Sequence, residues 1–204
     1  KTPMAKNTGK NFEDTVYGII ENLVKSNQFM LSEPYVKILR KPKYYSKDRE
    51  ANIICDISVE KYMEDPDRNS SLRPAIIVVI ECKDYAGSIP VDDVEEFHTK
   101  LQQIGADNTK GIMITHTGSF QKSALTFARS KGIALARLLP DDQVSYILHM
   151  MHHLSYSNLS VGGRTAAEII RALTEKDYQS TEGERFYSLT GESSLDKLIR
   201  SLLT

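Results

Sequence analysis

The sequence contains no tryptophan, only two cysteines and no excess of either charge. Its 204 residues carry 26 basic and 27 acidic side chains, which gives a formal net charge of -1. Two cysteines cannot form the disulfide framework of a small secreted domain. The apolar runs stay far below the roughly 18 residues that a membrane-spanning helix needs. We therefore expect a cytoplasmic protein without a membrane span, and the total charge gives no sign of a nucleic-acid partner.

The charge is unevenly distributed along the chain, so the total is a poor guide to partners. Residues 141–204 contain nine acidic and six basic residues, which leaves the rest of the chain net basic. Residues 40–49 carry five basic side chains and one acidic one, with Tyr44 and Tyr45 between them. Local patches of charge govern association more than the sum does. A nucleic-acid partner is therefore compatible with the sequence.

The first half of the chain predicts one helix followed by three strands. Apolar residues recur at helical spacing over 11–25. Residues 35–45 and 51–60 read as a β-hairpin with a charged tip. The run Ala75–Ile80 is apolar on both faces, as is typical of a central strand covered on each side. Because 40% of the residues are hydrophobic, the chain can bury a sizeable core.

The second half continues the alternation and then changes character. We expect a helix over 93–104, capped by Asp92 and ended by Gly105, and another over 120–131, capped by Ser119 and ended by Gly132. Strands are expected over 111–115 and 133–138. The order is that of an α/β fold with a mixed central sheet flanked by helices. Beyond it, helices over 141–154, 165–175 and 195–203 predict a helical C-terminal extension.

Three polar side chains stand in or directly after apolar strands, where charge is costly. Asp56 lies within the second hairpin strand, while Glu81 and Lys83 prolong the most hydrophobic strand and share one face by their spacing. Buried carboxylates need a compensating cation. If the two strands are neighbours, Asp56 and Glu81 form a hard-oxygen site that suits Mg²⁺, and Lys83 can stabilise a phosphate or orient water. A structural ion pair is the simpler alternative.

These residues resemble the D…(D/E)xK signature of the PD-(D/E)xK nuclease superfamily. The predicted element order is similar to its α-β-β-β-α-β core. The segments around Gly9–Glu13, Gly105–Asp107, Gly111–Thr115 and Ser119–Ala128 resemble the Mrr-like restriction-endonuclease branch, although many Mrr-like proteins carry glutamine where this chain has Glu81. The resemblance covers about residues 9 to 139, which we expect to form the nuclease domain, with residues 140–204 as the extension.

The resemblance implies a set of site residues. Asp56, Glu81 and the Cys82 carbonyl would bind the metal, Glu13 would approach it directly or through water, and Lys83 would be the catalytic lysine. The ion would be Mg²⁺, with Mn²⁺ able to substitute. The first-turn position of Glu13 also suits an acid for helix-dipole reasons alone.

The expected function is Mg²⁺-dependent cleavage of double-stranded DNA, of the restriction or phage-defence type, by a homodimer or larger homo-oligomer that cuts both strands. Two alternatives stay open: a structure-specific nuclease of the Holliday-junction-resolvase type, and a non-catalytic DNA-binding module with a degenerate site. Phosphate contacts are typically made by basic side chains and by helix N-termini. For Thr117 and Ser119, helix capping alone is a sufficient explanation. The candidate DNA-binding residues are Arg40, Lys41, Lys43, Tyr44, Lys47, Arg49, Thr117 and Ser119.

Overall fold

The structure is a computed structural model that describes residues 8–25, 35–69, 71–84, 87–116, 118–139, 144–148, 166–176, 178, 186–187 and 195–203. Within these ranges the helices are α1 Thr8–Lys25, α2 Val91–Gly105, α3 Lys122–Lys131, α4 Ala166–Thr174 and α5 Leu195–Leu203. The strands are β1 Val36–Arg40, β2 Lys43–Ser46, β3 Ala51–Ile54, β4 Ile57–Lys61, β5 Ile76–Lys83, β6 Ser88–Ile89, β7 Thr109–Thr115, β8 Ser119–Phe120, β9 Ala134–Leu139, β10 Val144–Leu148 and β11 Phe186–Tyr187.

A mixed seven-stranded sheet forms the centre of the molecule, in the order β1-β4-β5-β7-β9-β10-β11. Strand β4 is antiparallel to both β1 and β5, whereas β5, β7 and β9 are parallel. Strand β5 is the predicted central strand, and its alternate side chains are buried on both faces. The α/β fold with a mixed sheet flanked by helices is confirmed.

Each face of the sheet has its own hydrophobic core. On one face, Ile77 and Val79 of β5 pack with α2, α3 and α4. On the other face, Val78 and Ile80 pack with α1 and α5, where Phe12 and Val16 are almost completely buried. The period-2 alternation of β5 therefore supplies both layers at once. This arrangement leaves the carboxyl end of β5, with Glu81 and Lys83, at one edge of the sheet.

The predicted hairpin over 35–60 is bent in the middle. Its base, β1 with β4, belongs to the main sheet, while its tip, β2 with β3, forms a separate two-stranded ladder. Between them, the Lys41 N–H donates to the Asp56 carbonyl (2.8 Å) and the Cys55 N–H to the Pro42 carbonyl (3.2 Å). Pro42 has no N–H to continue the ladder, and Lys41 adopts a left-handed φ of 49°. Asp56 thus lies at the bend and not inside a strand.

Several predicted helix ends are wrong in position. Helix α2 begins at Val91, so Asp92 lies in its first turn and Pro90 occupies the cap. Helix α3 begins three residues after Ser119, because Ser119 and Phe120 pair with β6 before the helix starts. Gly132 does end α3 in a left-handed conformation, as predicted.

Gly105 does not end α2 as a left-handed cap, since it is still helical and Ala106 follows in right-handed geometry. A Cβ at residue 105 would lie 2.3 Å from Asn108 Oδ1, so a close approach explains this glycine.

The residues after 140 do not form a purely helical extension. Val144–Leu148 form strand β10, antiparallel to β9, so the helix predicted over 141–154 is wrong. The two other predicted helices are present as α4 and α5, and both pack on the cores of the sheet. The buried Arg137 of β9 donates to the carbonyls of Ala172, Glu175 and Lys176 and so caps the end of α4. A strand from β9 onward is favoured because it extends the existing ladder.

The position of Gly111 on β7 leaves little space for a side chain. A Cβ there would lie 2.4 Å from Leu101 Cδ1 and 2.8 Å from Phe97 Cε1, because α2 packs directly on the strand. We expect Gly111→Ala to lower the free energy of unfolding by about 1–3 kcal/mol through overpacking. Gly18→Ala is the matched control, since residue 18 lies in α1 with nothing within 4 Å of its Cβ position. That control is expected to be neutral or stabilising. Urea denaturation distinguishes the two, and equal effects would contradict the packing argument.

In the described part of the chain, no helix combines the length and apolar character that crossing a membrane requires.

Candidate active site

Asp56 is fixed at the bend of the hairpin by contacts to its own carboxylate. Its Oδ2 accepts a hydrogen bond from the Cys82 N–H at 2.8 Å, and its Oδ1 lies 2.7 Å from Lys41 Nζ. Strands β4 and β5 are neighbours with Ile57 opposite Ile80, so the same register brings Asp56 opposite Glu81. The condition on which the predicted two-carboxylate site depended is therefore met.

Glu13 reaches the same place from the first half of α1. Its side chain is only 10% exposed, and its Oε2 lies 2.6 Å from Lys41 Nζ. The other oxygen, Oε1, is buried without a hydrogen-bond partner among the described residues, although Arg40 Nε is 3.7 Å away. Phe12 precedes Glu13 by one position and Val16 follows it by three. Both side chains are buried and anchor this turn of the helix. Glu13 therefore presents an incompletely satisfied carboxylate to the site.

Glu81 lies at the carboxyl end of β5 between two lysines. Its Oε1 is 3.6 Å from Lys83 Nζ and 3.2 Å from Lys100 Nζ, and its side chain is 11% exposed. Lys100 also contacts Glu96 one turn earlier on α2, at 3.2 Å. Burial lowers the pKa of Lys100, but Glu81 and Glu96 outweigh it and leave the pKa raised. Lys100 therefore stays charged and holds Glu81 in position.

The three carboxylates surround the short segment that contains Cys82. Burial raises the pKa of the Cys82 thiol well above its usual range, and the charges of Asp56, Glu13 and Glu81 add to that rise. Burial likewise raises the pKa of Cys55 to about 12, with Glu81 and Asp56 contributing. Both thiols therefore stay protonated at neutral pH and act as small apolar residues, as the sequence indicated.

Lys41 supplies the positive charge between Glu13 and Asp56. Burial lowers its pKa, but the hydrogen bonds to Asp56 and Glu13 outweigh this effect and leave the pKa raised. The sequence predicted Lys41 as a DNA contact on the hairpin, yet the structure places it in the acidic cluster. Sequence spacing alone could not show this, because the contact depends on the bend at Lys41 and Pro42. A left-handed lysine directly before a proline has no recognisable signal in the residue pattern.

The donor set suits a hard cation. Glu13 and Asp56 already hold one cation, the Lys41 ammonium, between two carboxylate oxygens. The buried Glu13 Oε1 lacks a hydrogen-bond donor. Within the described residues, three acidic, histidine or cysteine side chains do not converge on one point, because Glu81 is directed toward its lysines. The pair of carboxylates from Glu13 and Asp56 fits an ion that keeps several waters, as Mg²⁺ does.

The predicted DNA-binding residues occupy different environments. Lys43, Lys47 and Arg49 are exposed on β2 and the hairpin turn. Arg40 forms ion pairs with Glu13 and Asp14 of α1. Ser119 is buried with its Oγ 2.7 Å from Ser88 Oγ, which withdraws it from a phosphate, and Thr117 lies outside the described residues.

Tyr44 and Tyr45 point in opposite directions. The Tyr44 hydroxyl donates to the buried Glu60 carboxylate at 2.6 Å and lies 2.7 Å from Ser58 Oγ. Burial raises the pKa of the Tyr44 hydroxyl, and the hydrogen bond to Glu60 raises it further. Tyr44 thereby ties the hairpin to the main sheet and is not available for DNA. Tyr45 is 63% exposed and takes its place as the candidate ring for a nucleic-acid contact.

Sequence comparison identifies a family for the part of the chain that contains most of these residues. The profile of a catalytic domain described as Mrr_cat, restriction endonuclease, matches residues 34–138. No curated protein sequence matches the chain. The matched range includes Asp56, Glu81 and Lys83 and excludes Glu13.

Three solved structures share only distant similarity with the chain. An EndoMS complex with double-stranded DNA is 15% identical with a TM-score of 0.40, covering 68% of this chain and 48% of that one. A repair endonuclease from Pyrococcus abyssi is 14% identical with a TM-score of 0.36, covering 68% and 50%. A protein of unknown function is 14% identical with a TM-score of 0.39, covering 55% and 54%. The chain thus spans about half the length of each. Because the family match extends over just over half of its residues, the protein belongs to the Mrr-type restriction endonuclease family.

Proposed function

We propose that this protein is a Mg²⁺-dependent DNA endonuclease that hydrolyses phosphodiester bonds in a cytoplasmic restriction or phage-defence role. The observation that carries the proposal is the arrangement around the carboxyl end of β5, where Glu81 lies beside Lys83 and where Asp56 accepts from the Cys82 N–H and shares Lys41 with Glu13. Buried carboxylates are costly even when lysines compensate them, which favours a function that uses them. Membership in a restriction endonuclease family supports the same reaction.

The proposed metal ligands are Asp56, Glu81 and the Cys82 carbonyl, with Glu13 binding directly or through water. A divalent ion held there supplies a Lewis acid that lowers the pKa of water and offsets charge on the phosphate. The Cys82 N–H fixes one oxygen of Asp56, so the other is directed toward the cluster. Mn²⁺, which also prefers oxygen ligands, is expected to support the reaction.

Lys83 is the proposed catalytic lysine, and Lys100 is a positioning residue. Lys83 Nζ is held 3.6 Å from Glu81 at the end of β5, where it can donate to a scissile phosphate or to the attacking water. Lys100 of α2 contacts Glu81 and fixes that carboxylate. Glu81 thus has a lysine on each side, at 3.6 Å and 3.2 Å. This second lysine was not predicted from the sequence.

The tip of the hairpin is the proposed DNA-contact surface, defined by Lys43, Tyr45, Lys47 and Arg49. Lys43 and Tyr45 share the exposed face of β2, opposite the inward-directed Tyr44. The ladder of β2 with β3 begins two residues after Lys41, and Ser46 on β2 donates to Gln103 Oε1 of α2 at 3.1 Å. Basic side chains position a protein on the DNA backbone, and an exposed ring can stack on sugar or base.

Removing charges from the hairpin tip is expected to weaken DNA binding in a salt-dependent way. Each of Lys43→Ala, Lys47→Ala and Arg49→Ala should reduce the slope of log K against log salt by about 0.9 if the side chain contacts one phosphate. Lys110→Ala is the matched control, because Lys110 is exposed near the start of β7, away from the cluster. Fluorescence anisotropy over a salt series measures the slopes. Equal slopes for hairpin and control variants would contradict this surface.

We also propose that the protein acts as a homodimer, because each chain has one candidate site and a double-strand cut needs two. The expected result is a dimer mass in analytical ultracentrifugation with DNA present. A monomer that linearises plasmid in a single binding event would contradict it.

The proposal is tested by incubating the protein with supercoiled plasmid, methylated plasmid and a four-way junction, in Mg²⁺ or EDTA. We expect Mg²⁺-dependent nicking or linearisation of plasmid, abolished by Glu81→Ala and by Lys83→Ala. Preferred cleavage of the junction would favour a resolvase-type enzyme. Salt-dependent DNA binding with no cleavage of any substrate would identify a binding module and overturn the proposal.

A further inference from the structure

The ammonium group of Lys41 lies between two carboxylates that the proposed function assigns to the metal site. Its Nζ is 2.6 Å from Glu13 Oε2 and 2.7 Å from Asp56 Oδ1. These are short, charge-assisted contacts. A divalent ion bound by the same two oxygens would repel the ammonium group. The two cations would also compete for the same space.

We propose that Lys41 is a place-holder cation that neutralises Glu13 and Asp56 without metal and competes with the divalent ion for them. The inference rests on the proposed function for the choice of metal ligands. It adds a role for a residue that lies outside the D…(D/E)xK signature. Lys41 sets how tightly the site binds metal and keeps the carboxylates together when no metal is bound.

The backbone holds Lys41 in position for this role. Its φ of 49° is unusual for a residue with a side chain, and its N–H donates to the Asp56 carbonyl at 2.8 Å. The main chain and the side chain of Lys41 therefore both contact Asp56. A side chain that served only to contact DNA from an exposed hairpin would not require this double attachment.

The surroundings make displacement of Lys41 feasible. Its side chain is 50% exposed, whereas that of Glu13 is 10% exposed. The ammonium can therefore regain water when it leaves, but the Glu13 carboxylate cannot be solvated to the same degree. Removal of the lysine leaves Asp56 facing Glu13 without the ammonium between them, and the cation that remains beside Glu13 is Arg40, whose Nε is 3.7 Å from the other oxygen, Oε1. That loss should destabilise the metal-free protein and favour the entry of a divalent cation.

The test compares Mn²⁺ binding by the wild type, Lys41→Gln and Lys43→Gln, measured by electron paramagnetic resonance without DNA. Lys43→Gln removes the same charge from an exposed neighbour, so it controls for long-range electrostatics. We expect Lys41→Gln to bind Mn²⁺ about tenfold more tightly and Lys43→Gln to stay within about twofold of the wild type. Equal or weaker binding by Lys41→Gln would overturn the inference and leave the proposed function standing. Absence of Mn²⁺ binding in all three proteins would overturn both.

Thermal unfolding provides a second readout that does not require a stable metal-free variant. Saturating Mn²⁺ should raise the unfolding midpoint of Lys41→Gln more than that of the wild type, because the ion replaces the missing ammonium. An equal or smaller rise in the variant would contradict the competition, even if Lys41→Gln is partly unfolded without metal.

Discussion

Replacing Asp56 with asparagine is expected to lower the rate of phosphodiester cleavage by about a hundredfold or more without unfolding the protein. The asparagine oxygen can still accept the hydrogen bond of the Cys82 N–H, so the bend of the hairpin is retained. The negative charge that a divalent cation requires is lost. Single-turnover cleavage of plasmid at saturating protein measures the effect separately from DNA binding.

Asp67→Asn is the matched control for this substitution. The Asp67 side chain is 83% exposed and pairs with Lys37 on β1, outside the carboxylate cluster. The control should cleave at the wild-type rate. A wild-type rate for Asp56→Asn as well would remove Asp56 from the proposed metal site.

Replacing Lys83 with methionine is expected to lower the single-turnover rate by about a hundredfold, because the ammonium that we propose contacts the scissile phosphate is lost. Methionine retains an unbranched stem, so the end of β5 should keep its packing. Lys100→Met is the informative comparison, since it removes the other lysine that contacts Glu81. Its rate should fall by only about tenfold, through a less well positioned Glu81. A larger loss for Lys100→Met than for Lys83→Met would exchange the two assigned roles.

The central part of the fold could be predicted because its signals are local and repetitive. The apolar alternation of β5 and the helical spacing of Phe12 and Val16 each place a side chain on a buried face without knowledge of the partner. The strand β10 could not be predicted in the same way. Val144, Ile147, Leu148 and Met151 recur at helical spacing. The ladder offered by β9 nevertheless decides the structure at Val144–Leu148. Tertiary pairing of this kind overrides local propensity.

The candidate site could likewise be predicted only where the signal is local. Asp56, Glu81 and Lys83 could be proposed from the sequence because charge in or after apolar strands is conspicuous. Lys41 and Lys100 were not assigned to the site, because a basic residue on a hairpin or a helix normally faces solvent. Their roles depend on the bend at Pro42 and on how α2 crosses the carboxyl end of β5.

The charge distribution also changes in meaning once the contacts are known. Of the five basic residues in 40–49, Arg40 and Lys41 are paired with acidic residues of the site or of α1. Within residues 40–49, the basic side chains that remain for the proposed DNA-contact surface are therefore Lys43, Lys47 and Arg49 of the hairpin tip. Binding by this surface alone should be weak and salt-sensitive.

The most direct test of the account is plasmid cleavage by the wild type and Asp56→Asn, measured in parallel over a Mg²⁺ titration with an EDTA control. We expect a wild-type rate that rises with Mg²⁺ and disappears in EDTA. The rate of Asp56→Asn should stay about a hundredfold lower while its DNA affinity is retained. Cleavage that persists in EDTA, or that Asp56→Asn performs at the wild-type rate, would contradict it.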